Sequence, residues 1–179
     1  MTARAAAIAP ETLVDVFENV PEYSHYDEPD SVKSCESEYR ISLGRVIKGW
    51  GDRLLDVAEN ARTPLSRDEM HSIDLILAGI AETFDELNRF RPTQVDEDEI
   101  ARVERLRRAD ALIITILEES QRIIQALDGK RETQEWLTQR AEDMTRSLQA
   151  LATGLERRND VLLDGRRSRG DHFPTSGGL

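Results

Sequence analysis

"SRDEMHSIDLILAGIAETFDEL", residues 66–87, decides the fold of this chain. Ser66 followed three residues later by Glu69 is a capping-box pattern, in which each side chain satisfies a backbone N–H of the other and a helix starts. Behind it Met70, Ile73, Leu77, Ile80, Phe84 and Leu87 step by three and four, which predicts a single apolar stripe along one α-helix. Such a stripe has to be buried against stripes of the same kind, and the sequence supplies them on both sides.

Upstream, from Ser31 to Arg62, Cys35, Tyr39, Leu43, Val46, Trp50, Leu54, Val57 and Ala61 recur at helical steps, with Thr63 and Pro64 ending the run. Downstream, "RPTQVDEDE" breaks the chain at Pro92, and its acids suit the positive end of a third long helix running to Leu127. The inner face predicted for that helix is Ile100, Val103, Leu106, Ala109, Ile113, Ile116 and Ile124, and "ALIITIL" (111–117) is apolar on nearly every side, which marks it as the most buried stretch. Gly129 is placed to stop this helix in a left-handed cap, and a fourth helix carries Leu137, Ala141, Met144, Leu148, Leu151 and Leu155. Residues 10–20 predict a short helix with Leu13, Val16, Phe17 and Val20 on one side. The proline-bounded "PEYSHYDEPDS" (21–31) reads as a loop whose Tyr23 and Tyr26 are placed to act as lids over a core.

No strand pattern competes with these periods. The expected fold is therefore all-α: an antiparallel, up-down bundle of four long helices with a short N-terminal helix. The bundle domain is expected over residues 10–163, after a flexible N-terminus at 1–9. A disordered, glycine-, serine- and arginine-rich tail is expected over 164–179.

One stretch resists the pattern. In "RVIKGWGDRL" (45–54) Gly49 and Gly51 flank Trp50 inside a helical run, and each glycine costs roughly 1 kcal/mol relative to alanine there. Two readings are open. Gly44, Gly49 and Gly51 form a thin strip beside the indole against which another helix approaches closely; or the helix kinks or restarts near residue 48. Gly44, Gly49, Trp50 and Gly51 are accordingly the candidate interaction residues.

Thirty-five acids against 24 bases give a net charge of −11, which repels nucleic-acid phosphates and argues against a nucleic-acid partner. The single cysteine, Cys35, cannot form an internal disulfide, and a cytoplasmic location is expected. The longest apolar runs, "LILAGIA" and "ALIITIL", fall far short of the roughly 20 residues that cross a bilayer.

Chemistry-bearing motifs are sparse. Of His25, His71 and His172, only His71 sits where a phosphotransfer histidine of a helical bundle would, one turn inside a helix; its bland reading is a solvated surface side chain. Glu22 with His25 and Asp68 with His71 have metal-ligand spacing, but neither forms the paired inward motifs of di-iron bundles, so no metal and no cofactor is expected. Phosphate loops and nucleophile elbows are absent from the sequence, and no catalytic residue and no small-molecule substrate is assigned. The "RGD" at 169–171 reads as tail. Arg157, Arg158, Arg166, Arg167 and Arg169 form a basic end that is expected to meet a helix C-terminus and solvent.

Phe17 and Glu18, then Cys35, then Trp50 and Gly51, then "ALDGK" (126–130) before an amphipathic helix follow an order that resembles the fungal HeLo domain of heterokaryon-incompatibility proteins. The resemblance spans about residues 13–155. In that family an Arg-Leu-x-Arg-Trp-Gly element closes the first long helix; here Gly49 stands where the arginine before the tryptophan is expected, and the tyrosine of the family's Ala-Leu-Tyr-Asp-Gly-Lys element is missing. The resemblance implies a helical bundle involved in non-self recognition or regulated cell death. The apolar N-terminal segment and the amyloid-forming C-terminal repeats of the family's toxic members have no counterpart. The expected function is a non-enzymatic interaction or self-association module whose partner is another protein or a second copy. The alternatives are a membrane-active cell-death executioner and a histidine phosphotransfer bundle.

Overall fold

The computed structural model describes residues 11–61, 64–89, 94–95, 99–128 and 133–169. The elements are α1 (Glu11–Glu18), α2 (Pro29–Glu59), α3 (Arg67–Asn88), α4 (Ile100–Gln125), a single 3-10 turn (Ala126–Asp128) and α5 (Thr133–Arg169), with no strand among the described residues. The all-α bundle demanded by the apolar stripes is the fold observed.

Local chemistry accounts for the helix starts. Ser66 Oγ accepts from the Glu69 N–H at 3.3 Å while the Glu69 carboxylate accepts from the Ser66 N–H at 2.6 Å, the full capping box. α2 begins at Pro29, inside the expected loop, because proline in the first turn gives up an N–H that has no helical acceptor anyway. α2 then runs unbroken through Gly49 and Gly51, so the helix does not restart at residue 48. At the other end of the chain, α5 continues past the expected boundary at 163 to Arg169. Extending a nucleated helix adds one hydrogen bond for each residue fixed, which carries it through polar sequence. The expected N-terminus at 1–9, Pro92, Gly129, the RGD triplet beyond Arg169 and His172 lie outside the described residues, as do the side chains of Arg166, Arg167 and Arg169.

The contacts set the directions. Gly44 meets Phe84 and Leu87, whereas Gly51 meets Leu77 and Ile80, so α2 and α3 are antiparallel. Asp110 pairs with Arg158 and Ser120 with Ser147, so α4 and α5 are antiparallel. Gly79 lies on Leu148, and the Glu86 carbonyl accepts from Asn159, so α3 and α5 run parallel. Successive long helices therefore alternate up and down as expected, but α5 packs closely on both α3 and α4, which do not pack closely on each other.

That arrangement corrects three expectations. α3 uses two faces: Leu77 and Phe84 turn to α2, and Gly79, flanked by the buried Ile76 and Thr83, turns to α5, leaving Met70 exposed at 45%. "ALIITIL" is not buried all round; Ile113, Ile116 and Leu117 face the core and Leu112 faces out. Ile100 is 70% exposed, and Arg102 is the side chain that turns inward at that end. Its guanidinium donates to the Val161 carbonyl at 2.9 Å and to the Leu162 carbonyl, tying the start of α4 to α5.

The core falls into two parts. The larger is built on Leu43, Ile47, Trp50, Ile76, Leu117, Leu148 and Leu151; the smaller gathers Tyr23, Tyr26, Val32, Val95, Leu106 and Leu162 beneath the loop between α1 and α2. The lid role expected for Tyr23 and Tyr26 is observed: they are 5% and 1% exposed.

Candidate functional site

The tryptophan region lies inside the bundle. Trp50 is fully buried, and its indole N–H donates to Gln121 Oε1 on α4 at 2.7 Å. Gly51 is buried against α3, while Gly44 and Gly49 are half-buried. The close approach read from these glycines is an intramolecular one, between α2 and α3, so Trp50 and Gly51 offer no surface to a partner in this fold. Nor is the glycine strip its tightest point. A methyl group at Gly51 would meet Ile80 Cδ1 at 3.5 Å, an ordinary contact, whereas one at Gly79 would stand 3.1 Å from Leu148 Cβ. The glycine that close packing requires is on α3, against α5.

The concentration of chemistry lies elsewhere, around Arg158, expected at the solvated basic end but 1% exposed; Arg157 beside it does face solvent. The Arg158 guanidinium donates to both oxygens of Glu36, at 2.6 and 2.8 Å, to Asp110 Oδ1 at 2.6 Å and to the Tyr23 hydroxyl at 3.0 Å. Its plane also lies over the Tyr39 ring, 5.0 Å from the centroid. Tyr23 donates its hydroxyl to Asp110, and Tyr26 donates to Glu36 at 2.7 Å. Arg40 adds a bond to Glu36 at 3.0 Å and reaches the Leu87 carbonyl at 2.9 Å and Asn159 Oδ1 at 2.6 Å. Because the last turn of α3 has no basic residue of its own, Arg40 and Asn159 satisfy carbonyls that the helix end leaves open. Two carboxylates and two guanidiniums thus balance in one buried network that ties α2, α4 and α5 to the end of α3.

The electrostatics follow from that geometry. Burial alone would raise Glu36, but Arg158, Arg40 and the Tyr26 hydroxyl hold its carboxyl down at about 2. Burial pushes the Asp110 carboxyl up, against the pull of Arg158. Burial opposes the charge on Arg158 as well, yet Glu36, Tyr23 and Asp110 keep it firmly protonated. Burial likewise drives Tyr23 and Tyr26 far above the ordinary phenol range, so both hydroxyls remain donors.

Glu36 therefore links stability to acid. A carboxyl whose folded pKa is depressed contributes stability above its unfolded value, and that contribution is lost as pH falls through the folded one. The window here runs from 4.5 down to about 2. Asp110, raised rather than lowered, acts in the opposite sense, so the test isolates Glu36 by comparison with Glu36→Gln. The melting temperature of the native chain should exceed that of the variant clearly above pH 4.5 and converge on it toward pH 2; a gap independent of pH would refute the assignment.

Arg158, Glu36 and Asp110 carry a signal in the sequence that histidine positions and metal-ligand spacings do not contain. Each occupies a core position of an apolar stripe: Glu36 between Val32 and Tyr39, Asp110 between Leu106 and Ile113, Arg158 between Leu155 and Leu162. A charge at the phase of a heptad core has to be paired or to distort the fold.

The other candidate residues are dispersed. His71 and Asp68 are exposed on α3, Glu22 and His25 are exposed in the loop before α2, and Cys35 is a half-buried free thiol. Among the described residues no group of three His, Cys, Asp or Glu side chains is placed to hold a metal ion, and no helix is long and apolar enough to cross a membrane. Compared with protein-family models, curated proteins and solved structures, the chain matches none of them.

Proposed function

We propose that the chain is a non-enzymatic helical-bundle module for interaction or self-association, HeLo-like in the order of its sequence elements and acting in fungal non-self recognition or regulated cell death. The observation that carries this reading is how its side chains are used. The strongly perturbed ionisable groups are spent on one another inside the bundle, where Arg158, Glu36 and Asp110 form bonds that leave them turned away from solvent. Tyr23 and Tyr26 border clefts beside the loop before α2, but their hydroxyls are spent as donors to Asp110 and Glu36; perturbed carboxylates or guanidiniums opening into a cleft would instead point to catalysis.

Apolar side chains, meanwhile, stand on the outside of every helix: Phe17 on α1, Ile41 and Leu55 on α2, Leu75 on α3, Leu112 on α4 and Leu163 on α5, each at least 37% exposed. Side chains of this kind are the material from which helix-face contacts are made. The partner is accordingly a protein or a second copy, and the charge of −11 disfavours nucleic acid. A cytoplasmic location belongs to the same reading and is supported by the free thiol of Cys35.

Light scattering on the full chain, after size exclusion over a range of concentrations, tests the proposal. Self-association should raise the mass above 20.3 kDa as concentration increases. A strict monomer at every concentration, together with no retained protein partner, counts against it.

A further inference from the structure

The loop between α1 and α2 is tied to the bundle by few side chains. From Pro21 to Glu28 only Pro21, Tyr23 and Tyr26 are buried; Glu22, Ser24, His25, Asp27 and Glu28 are exposed. Clefts undercut the loop on both flanks. One, of about 290 Å³, is lined by Pro21, His25, Cys35 and Glu38; the other, of about 240 Å³, by Ile100, Val103 and Arg107; Glu22, Tyr23 and Ser24 border both. Tyr23 also has φ 65°, a left-handed backbone conformation disfavoured for a bulky residue, so the closed loop is strained at its anchor.

What holds the loop down is specific and small. The hydroxyls of Tyr23 and Tyr26 donate to Asp110 and Glu36, Arg158 donates to the Tyr23 hydroxyl at 3.0 Å and Arg107 to the Glu22 carbonyl at 3.4 Å, the tyrosine rings contact at 4.7 Å between centroids, the Val95 N–H donates to the Tyr26 carbonyl at 2.8 Å and the Gln94 amide donates to the Asp27 carbonyl at 2.6 Å. Beneath it Glu36, Asp110, Arg40 and Arg158 pair among themselves. Lifting the loop therefore strands no charge, because water replaces two neutral hydroxyls. α1 is anchored separately, through Val16 in the larger core.

We propose that residues 21–28 are a gate that opens while α2–α5 stay packed, withdrawing Tyr23 and Tyr26 together and exposing the Arg158 cluster with Val32 and Leu106. The gate does not depend on the function proposed above. It is a local opening whose free energy lies below that of global unfolding.

The three tyrosines provide the test, since Tyr39 is fully buried on α2 and is not part of the loop. Nitration of the full chain with tetranitromethane, mapped by mass spectrometry, should modify Tyr23 and Tyr26 at a rate that does not change with low urea, while Tyr39 reacts only as the helical circular-dichroism signal is lost. In Tyr23→Phe, Tyr26 should react at least about tenfold faster with Tyr39 still protected, because Asp110 loses a donor in the closed state that water supplies in the open one. Modification of all three tyrosines in step, rates that follow unfolding, or a Tyr26 rate unchanged by Tyr23→Phe would overturn the proposal.

Discussion

Replacing Arg158 by methionine should destabilise the bundle by about 3–5 kcal/mol, the usual cost of removing one partner from a buried charge network. Methionine fills much the same space, so the loss is electrostatic rather than a cavity. Glu36 would keep Arg40 and the Tyr26 hydroxyl but lose its bidentate partner, and Asp110 would lose its guanidinium while keeping the Tyr23 hydroxyl. Lysine should not rescue the site, because a single ammonium cannot reproduce the planar fork that serves two carboxylates and a hydroxyl. For a domain of this size the loss corresponds to a fall in melting temperature on the order of 10 °C, read by circular dichroism. A shift of a degree or less would mean that the cluster contributes little.

The second large effect is expected at Trp50. Trp50→Ala should cost about 3–5 kcal/mol, since a fully buried indole leaves a cavity that fixed helices fill poorly. Trp50→Phe separates packing from hydrogen bonding: it keeps most of the ring but leaves Gln121 Oε1 without its donor, for a loss of about 1–3 kcal/mol. Gly51→Ala, by contrast, should be close to neutral, because its methyl makes an ordinary contact with Ile80 and alanine favours the helix. Urea denaturation midpoints of the three variants give the ranking. A severe Gly51→Ala beside a mild Trp50→Ala would restore the glycine strip as the determining feature.

The stripe of α5 was legible because apolar burial in a helix imposes a period that survives without any knowledge of partners; Leu137, Ala141, Met144, Leu148, Leu151 and Leu155 are all buried as read, whereas the single stripe read for α3 missed its second face through Ile76, Gly79 and Thr83. The lids Tyr23 and Tyr26 were legible as large aromatics in an otherwise polar loop. Arg158 was not, because its burial depends on Glu36 and Asp110, which lie far from it along the chain and meet it only when α2, α4 and α5 assemble. Read locally, an arginine among polar neighbours belongs to solvent; read at the phase of Leu155 and Leu162, it belongs to the core. The same limit explains Arg102, which displaced Ile100 from the inner face because the carbonyls of Val161 and Leu162 accept its guanidinium. Pairing across helices is three-dimensional information, and a one-dimensional period carries only the need for it.

Trp50 illustrates the converse. The sequence marked Gly44, Gly49, Trp50 and Gly51 as a contact strip; in the fold Gly44 and Gly51 face α3, and the Trp50 indole donates to Gln121 on α4 of the same chain. No local pattern distinguishes a helix that must meet its own neighbour from one that meets another molecule.

The charge network clamps α2 to α5, and a double-mutant cycle on Arg158→Met and Glu36→Gln, followed by urea denaturation at neutral pH, tests that clamp most directly. The two changes should be strongly non-additive, with a coupling energy of about 2–3 kcal/mol. Additivity within about 0.5 kcal/mol would contradict the clamp.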